Sequence, residues 1–103
     1  MQLDEFKEKL AACGLPLAYR SFPEGAAPPL PYVVYYAPNE TNFAADGENY
    51  FNIKQIIVEL YTRNKDVASE ASVEQALAFA IWDKTEEYIE AEKCYQIVYN
   101  LEV

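Results

Sequence analysis

The chain has no histidine, one methionine, one tryptophan and three glycines, and only eight of its 103 residues are lysine or arginine. Each scarcity removes a class of function. Without histidine there is no imidazole, the most frequent general acid or base and a frequent zinc ligand. The three glycines, Gly14, Gly25 and Gly47, are scattered and form neither a P-loop nor a GxGxxG turn. The two cysteines, Cys13 and Cys94, form no CxxC pair, so two idle thiols are expected rather than a disulfide or a metal site. The eight basic residues stand against 17 acidic ones, for a net charge of −9. That balance disfavours nonspecific binding to nucleic acid, which needs Lys and Arg to displace phosphate counterions. It equally disfavours docking on an anionic membrane. No apolar run reaches membrane-spanning length, and the opening MQLDEFKEKL lacks an apolar signal core, so a soluble, cytoplasmic chain is expected.

What is present describes a globular chain. The apolar share is 51%, and nine residues are tyrosine, a residue that packs well on pleated surfaces and is enriched at interfaces. The length suits one domain spanning 1–103. Leu3, Phe6 and Leu10 recur at helical spacing, which predicts a helix over 1–13 stopped by Gly14 and Pro16. LAYRSF (17–22) reads as a short strand, and the proline-rich PEGAAPPLP (23–31) as a loop. YVVYYA (32–37) reads as a strand, apolar on both faces. APNETNFAADGEN (37–49) reads as a long polar loop leading into a long strand. In that strand Ile56, Val58 and Leu60 point to the core, opposite Gln55, Ile57, Glu59, Tyr61 and Arg63.

Asp66 is a fair N-cap for a helix over 67–81, with Val73, Ala76, Leu77, Ala80 and Ile81 buried and Trp82 ending it in the core. DKTEEYIEAEK (83–93) begins as a turn and becomes a strand, and CYQIVYNLEV (94–103) alternates cleanly, so the two form a hairpin meeting at Glu92-Lys93. The expected fold class is α+β: a mixed or antiparallel sheet of about four to five strands packed against two helices.

Chemistry is hard to find. A calcium loop started at Asp46 continues with Glu48, Tyr50 and Asn52, but its twelfth position is Ile57, not the closing carboxylate such a loop needs. Asp46-Gly47 is instead a turn signal. The carboxylate pairs Asp4/Glu5, Glu86/Glu87 and Glu90/Glu92 read as solvated faces. Neither cysteine has an activating partner in sequence. The expectation is a protein that is no enzyme and has no catalytic, metal or cofactor site. Asn42, Phe43, Asp46, Glu48 and Tyr50 are instead candidates for an arm that contacts a neighbouring subunit.

Two long runs resemble a known group: YVVYYAPNETNFAADGENYFNIKQIIVELYTRNKD and the closing IWDKTEEYIEAEKCYQIVYNLEV. The NFAAD loop, the strand ending in ELYT, the Lys-Asp before a helix and the W-x-K-T-E-x-Y-I segment are similar to small proteins from prophages of Gram-positive bacteria, the tail terminators or tail-completion proteins of the siphophage head-tail joint. The resemblance covers nearly the whole chain and involves no catalytic motif. It implies an α+β fold and a ring of copies of the chain, commonly sixfold. It implies as partners the tail tube protein, which the ring caps, and the head connector or neck protein, to which it docks the tube. It places the protein in the virion and, during assembly, in the host cytoplasm. Genome DNA would pass through such a ring without sequence-specific contact, and an acidic wall would keep it from sticking. The competing expectations are a head-completion or neck protein of the same joint, and an acidic inhibitory module that mimics DNA.

Overall fold

The computed structural model describes residues 1–45 and 47–103, and of Ala45, Asn49 and Tyr50 the backbone alone. The elements are α1 (Leu3–Ala11), β1 (Leu17–Tyr19), β2 (Tyr32–Ala45), β3 (Glu48–Thr62), α2 (Val67–Ala76), β4 (Trp82–Ile89) and β5 (Cys94–Glu102). The five strands form one sheet in the order β1-β2-β3-β5-β4. β1 runs parallel to β2, and the other neighbours are antiparallel. The expected α+β class is the observed one, with a mixed sheet and both helices on one face.

The core follows from two periodicities meeting. Phe6 and Leu10 of α1 and Val73 of α2, with Leu77 just beyond its end, have no exposed surface. They pack on the inward positions of three central strands: Val33 and Tyr35 of β2, Ile56, Val58 and Leu60 of β3, and Ile97, Tyr99 and Leu101 of β5. Full burial of each such side chain contributes about 1.5–3 kcal/mol. Phe6 also meets the Tyr35 ring at 5.8 Å between centroids. Cys13 and Cys94 are buried free thiols, as expected.

α2 is held at both ends of its inner side by charge. Asp66 caps it, accepting from the Ser69 backbone N–H at 3.0 Å and the Ser69 hydroxyl at 2.7 Å. Glu70, nearly buried, lies 2.6 Å from Lys65 Nζ and 3.1 Å from Lys84 Nζ. Lys84 of β4 also bonds Glu74 at 2.7 Å, and Tyr99 donates its hydroxyl to the same carboxylate at 2.8 Å. These contacts tie α2 to β4 and β5.

Four expectations need correction. Residues 37–49 are not a loop: β2 runs on to Ala45 and β3 begins at Glu48, so most of the stretch is a hairpin. The second helix ends at Ala76, not at 81, and a turn at Leu77–Ala80 delivers the chain into β4. Ile81 is consequently not in the buried stripe but 95% exposed. Trp82 does not end a helix; it opens β4 and sets its ring edge-on to Tyr99 at 5.3 Å. Strand formation on 83–93 is also earlier than expected, since β4 covers Trp82–Ile89 and the turn lies beyond it.

Candidate assembly interface

β2 and β3 are far longer than the strands that flank them. β1 pairs only with Val33–Tyr35, and β5 reaches only Gln55. Val103 extends that edge by one residue, exchanging backbone hydrogen bonds with Lys54 at 2.8 and 2.9 Å. From Ile53 outward the hairpin has no third strand among the described residues. At ~3.3 Å per residue this leaves a two-stranded arm projecting about 20 Å. The molecule is correspondingly elongated, 52 × 28 × 23 Å.

The β2–β3 pairing has two irregularities, between Tyr36 and Asn39 and between Phe43 and Ala44, and the first sets the faces of the arm up to Phe43. Between Tyr36 and Asn39 β2 advances three residues while β3 moves two, from Ile57 to Gln55. The extra residue is a β-bulge at Ala37-Pro38, where proline's missing N–H does no harm. The bulge changes parity. Odd-numbered residues of the β2 arm therefore join the helix-free face carrying Tyr32, Val34 and Tyr36. The outer face of the arm thus holds Thr41 opposite Ile53 and Phe43 opposite Phe51. The Phe43 and Phe51 rings stack at 4.9 Å with 16° between planes. They remain 43% and 56% exposed.

The other face of the arm is polar and internally satisfied. Asn42 Nδ2 donates to Asn52 Oδ1 at 2.6 Å, and Asn52 Nδ2 to Glu40 Oε2 at 2.7 Å. Glu40 lies 3.7 Å from Lys54 Nζ, which donates to the Met1 carbonyl at 3.0 Å. The polar ladder therefore ends on the body of the protein and stiffens the arm's root.

On the sheet body the same outer face carries a tyrosine–carboxylate network. Glu59 accepts from the Tyr61 hydroxyl at 2.7 Å and the Tyr36 hydroxyl at 3.1 Å, and Gln96 Nε2 donates to Tyr61 at 2.9 Å. Burial, with the adjacent Glu59, pushes both phenols above their ordinary range. The Arg20 guanidinium sits 4.6 Å from the Tyr36 ring centroid. The Tyr36 and Tyr61 hydroxyls are thus both engaged by Glu59.

Beside the arm's root is an open groove of about 630 Å³. Met1, Phe79, Ile81 and Val103 line it together with the polar Gln55, Asp83, Asn100 and Glu102. Phe79, 39% exposed, touches Phe6 edge-on and lies under Lys9 at 5.1 Å.

The five residues expected at an interface separate in the structure. Asn42 and Phe43 lie on opposite faces of the arm, Asn42 in the polar ladder and Phe43 in the aromatic stack. Glu48 opens β3 near the tip and is exposed. Asp46 lies outside the described residues, and so does the Tyr50 side chain. Phe51 and Ile53, which complete the apolar face, were not among the candidates. Their signal was available: Thr41 and Phe43 before Asp-Gly, and Phe51 and Ile53 after it, form the alternation of a hairpin.

No known protein-family pattern matches the chain, and no curated protein matches it. Among solved structures, the fold matches a chain from the "virion of native gene transfer agent (GTA) particle" with a TM-score of 0.62. The match covers 95% of this chain and 90% of that one at 14% sequence identity. At that identity it is the fold that is shared.

Proposed function

We propose that the protein is a structural subunit of a phage-like virion, and within it a tail terminator. Copies form a ring that caps the tail tube and docks it to the head connector, and the protein catalyses no reaction. The observation that carries this reading is the match, over nearly all of both chains, to a chain of a phage-like particle. The projecting arm supports it, because an isolated two-stranded hairpin is marginal in water and gains stability by lying on another surface. Its stacked phenylalanines are the exposed anchors expected of an assembly contact. Ring subunits meet through heterologous contacts that close by rotation, and a subunit with a projection at one place and a recess at another suits that geometry.

The test is location and copy number. Particles are purified from the producing strain, the protein is quantified against the major tail tube protein by mass spectrometry, and it is located by antibody-gold labelling. About one ring of copies per particle, labelled at the head-tail joint, is the expected result. Absence from purified particles, or labelling along the tube or over the capsid, contradicts the reading.

A further inference from the structure

We propose that the free edge of β4 accepts an extended, basic strand of a partner protein, which continues the sheet by one strand. The edge exists whether or not the chain belongs to a virion. Hydrogen-bond parity fixes which of its groups are free. Lys54 and Val103 exchange both backbone hydrogen bonds, so even-numbered residues of β3 direct their N–H and C=O groups to β5. Through the registers Ile56↔Leu101, Val58↔Tyr99 and Leu60↔Ile97, odd-numbered residues of β5 answer them. Even-numbered residues of β5 therefore turn to β4, where Asn100, Val98 and Gln96 meet Asp83, Thr85 and Glu87. That leaves the N–H and C=O groups of Trp82, Lys84, Glu86 and Tyr88 directed away from the sheet, with no strand beyond them among the described residues. The two ends of the sheet differ: β1 has three residues, whereas β4 runs eight with an unbroken register and no proline. Residues 83–88 are all exposed.

Charge selects the occupant. Edge strands are commonly guarded by charged side chains. On the helix face of β4 those charges are already paired within the chain, Lys84 with Glu70 and Glu74 and Glu86 with Lys65. On the helix-free face Asp83 and Glu87 stand four residues apart with Thr85 between them, and neither has an ion-pair partner among the described residues. A second β4 laid along this edge would set carboxylate against carboxylate, and like charges directly opposite are destabilising. The edge thus discriminates against its own copy. A strand with Lys or Arg at positions i and i+4 instead sets each cation opposite a carboxylate, with about 5 Å between Cβ atoms. On the helix face Tyr88, 47% exposed, offers its ring to a β-branched neighbour on the incoming strand.

The full chain and three synthetic peptides test this. One is the basic strand Ac-KVTVKVTV-NH2, one its acidic twin with Glu for each Lys, and one a basic peptide whose valines are replaced by proline. Binding is followed by amide hydrogen exchange and NMR shifts, residue by residue. The basic strand should slow exchange at Trp82, Lys84, Glu86 and Tyr88, while Asp83, Thr85 and Glu87, already bonded to β5, change little. Its affinity should fall as salt rises. Asp83→Lys with Glu87→Lys, both at exposed positions, should lower it about tenfold. Glu86→Pro, which removes one outward N–H without touching the β5 ladder, should weaken it as well. Equal binding of the acidic or the proline peptide, or no protection at the four edge amides, overturns the proposal. Protection of those amides with rising protein concentration alone assigns the edge to a second copy and overturns it too. The test involves no particles, so its failure leaves the virion role standing.

Discussion

The most informative single residue for stability is Glu70. Burial raises its carboxyl pKa, but hydrogen bonds and charge from Lys65 and Lys84 outweigh burial and bring it below its ordinary value of 4.5. A carboxylate whose folded value is lowered adds stability above its unfolded value and loses it as pH falls through the folded one. The ties among α2, Lys65 and β4 should therefore weaken as pH drops below the ordinary value of 4.5 and through the lower folded one. Glu70→Gln should cost about 2 kcal/mol near neutral pH, because it leaves two lysines without their shared anion. Urea unfolding at pH 7 and pH 3 checks both points: the gap between wild type and variant should shrink at the lower pH. By contrast, Phe43→Ser should change folding stability by less than about 0.5 kcal/mol, since its ring packs only on the exposed Phe51. Leu10→Ala, in the core, should cost about 3 kcal/mol in the same assay.

At the scale of elements, the arm is the feature on which the proposed function rests most. Removing residues 42–48 should leave a folded body with an unfolding temperature close to that of the intact chain, because the core lies between α1, α2 and the inner ends of the strands. The same variant should fail to enter particles; normal incorporation would remove the arm from assembly. The bulge makes a sharper prediction. Deleting Pro38 removes the extra residue, restores simple alternation along β2 and leaves Asn39, Thr41 and Phe43 opposite Gln55, Ile53 and Phe51 on the outer face. Particle incorporation and circular dichroism should then match those of the intact chain, and a loss of incorporation would mean that the bend at the bulge is itself needed.

Much of this fold was legible from periodicity: the Phe6/Leu10 stripe, the inward Ile56, Val58 and Leu60, the Asp66 cap and the closing strand all stand where their spacing puts them. The arm was not legible as strand. Asn, Asp, Gly and Pro are poor strand formers, so 37–49 reads as loop, and it is cross-strand pairing that holds it extended. Ile81 misled for a related reason. Helical spacing marks it as buried, but the helix stops at Ala76 to feed β4, and a stop without Pro or Gly leaves no local signal. Of the candidate site, the right segment was visible and its two-faced character was not, because the bulge that sorts the faces is a matter of register.

At the scale of the whole molecule, the shape is an acidic body with one projecting arm. A net charge of −9 on so small a chain would oppose its packing into the proposed ring, and the subunit contact would have to outweigh that repulsion. The same charge, facing a channel, would repel DNA in transit. The central claim is that this body and arm end a tail tube. It is tested most directly by an early stop codon in the gene, in the source phage or prophage, with the induced particles imaged by negative-stain electron microscopy. Tails of uncontrolled length beside tailless full heads are predicted. Tails of normal length lying free of leaky or empty heads, or intact infectious particles, would contradict it.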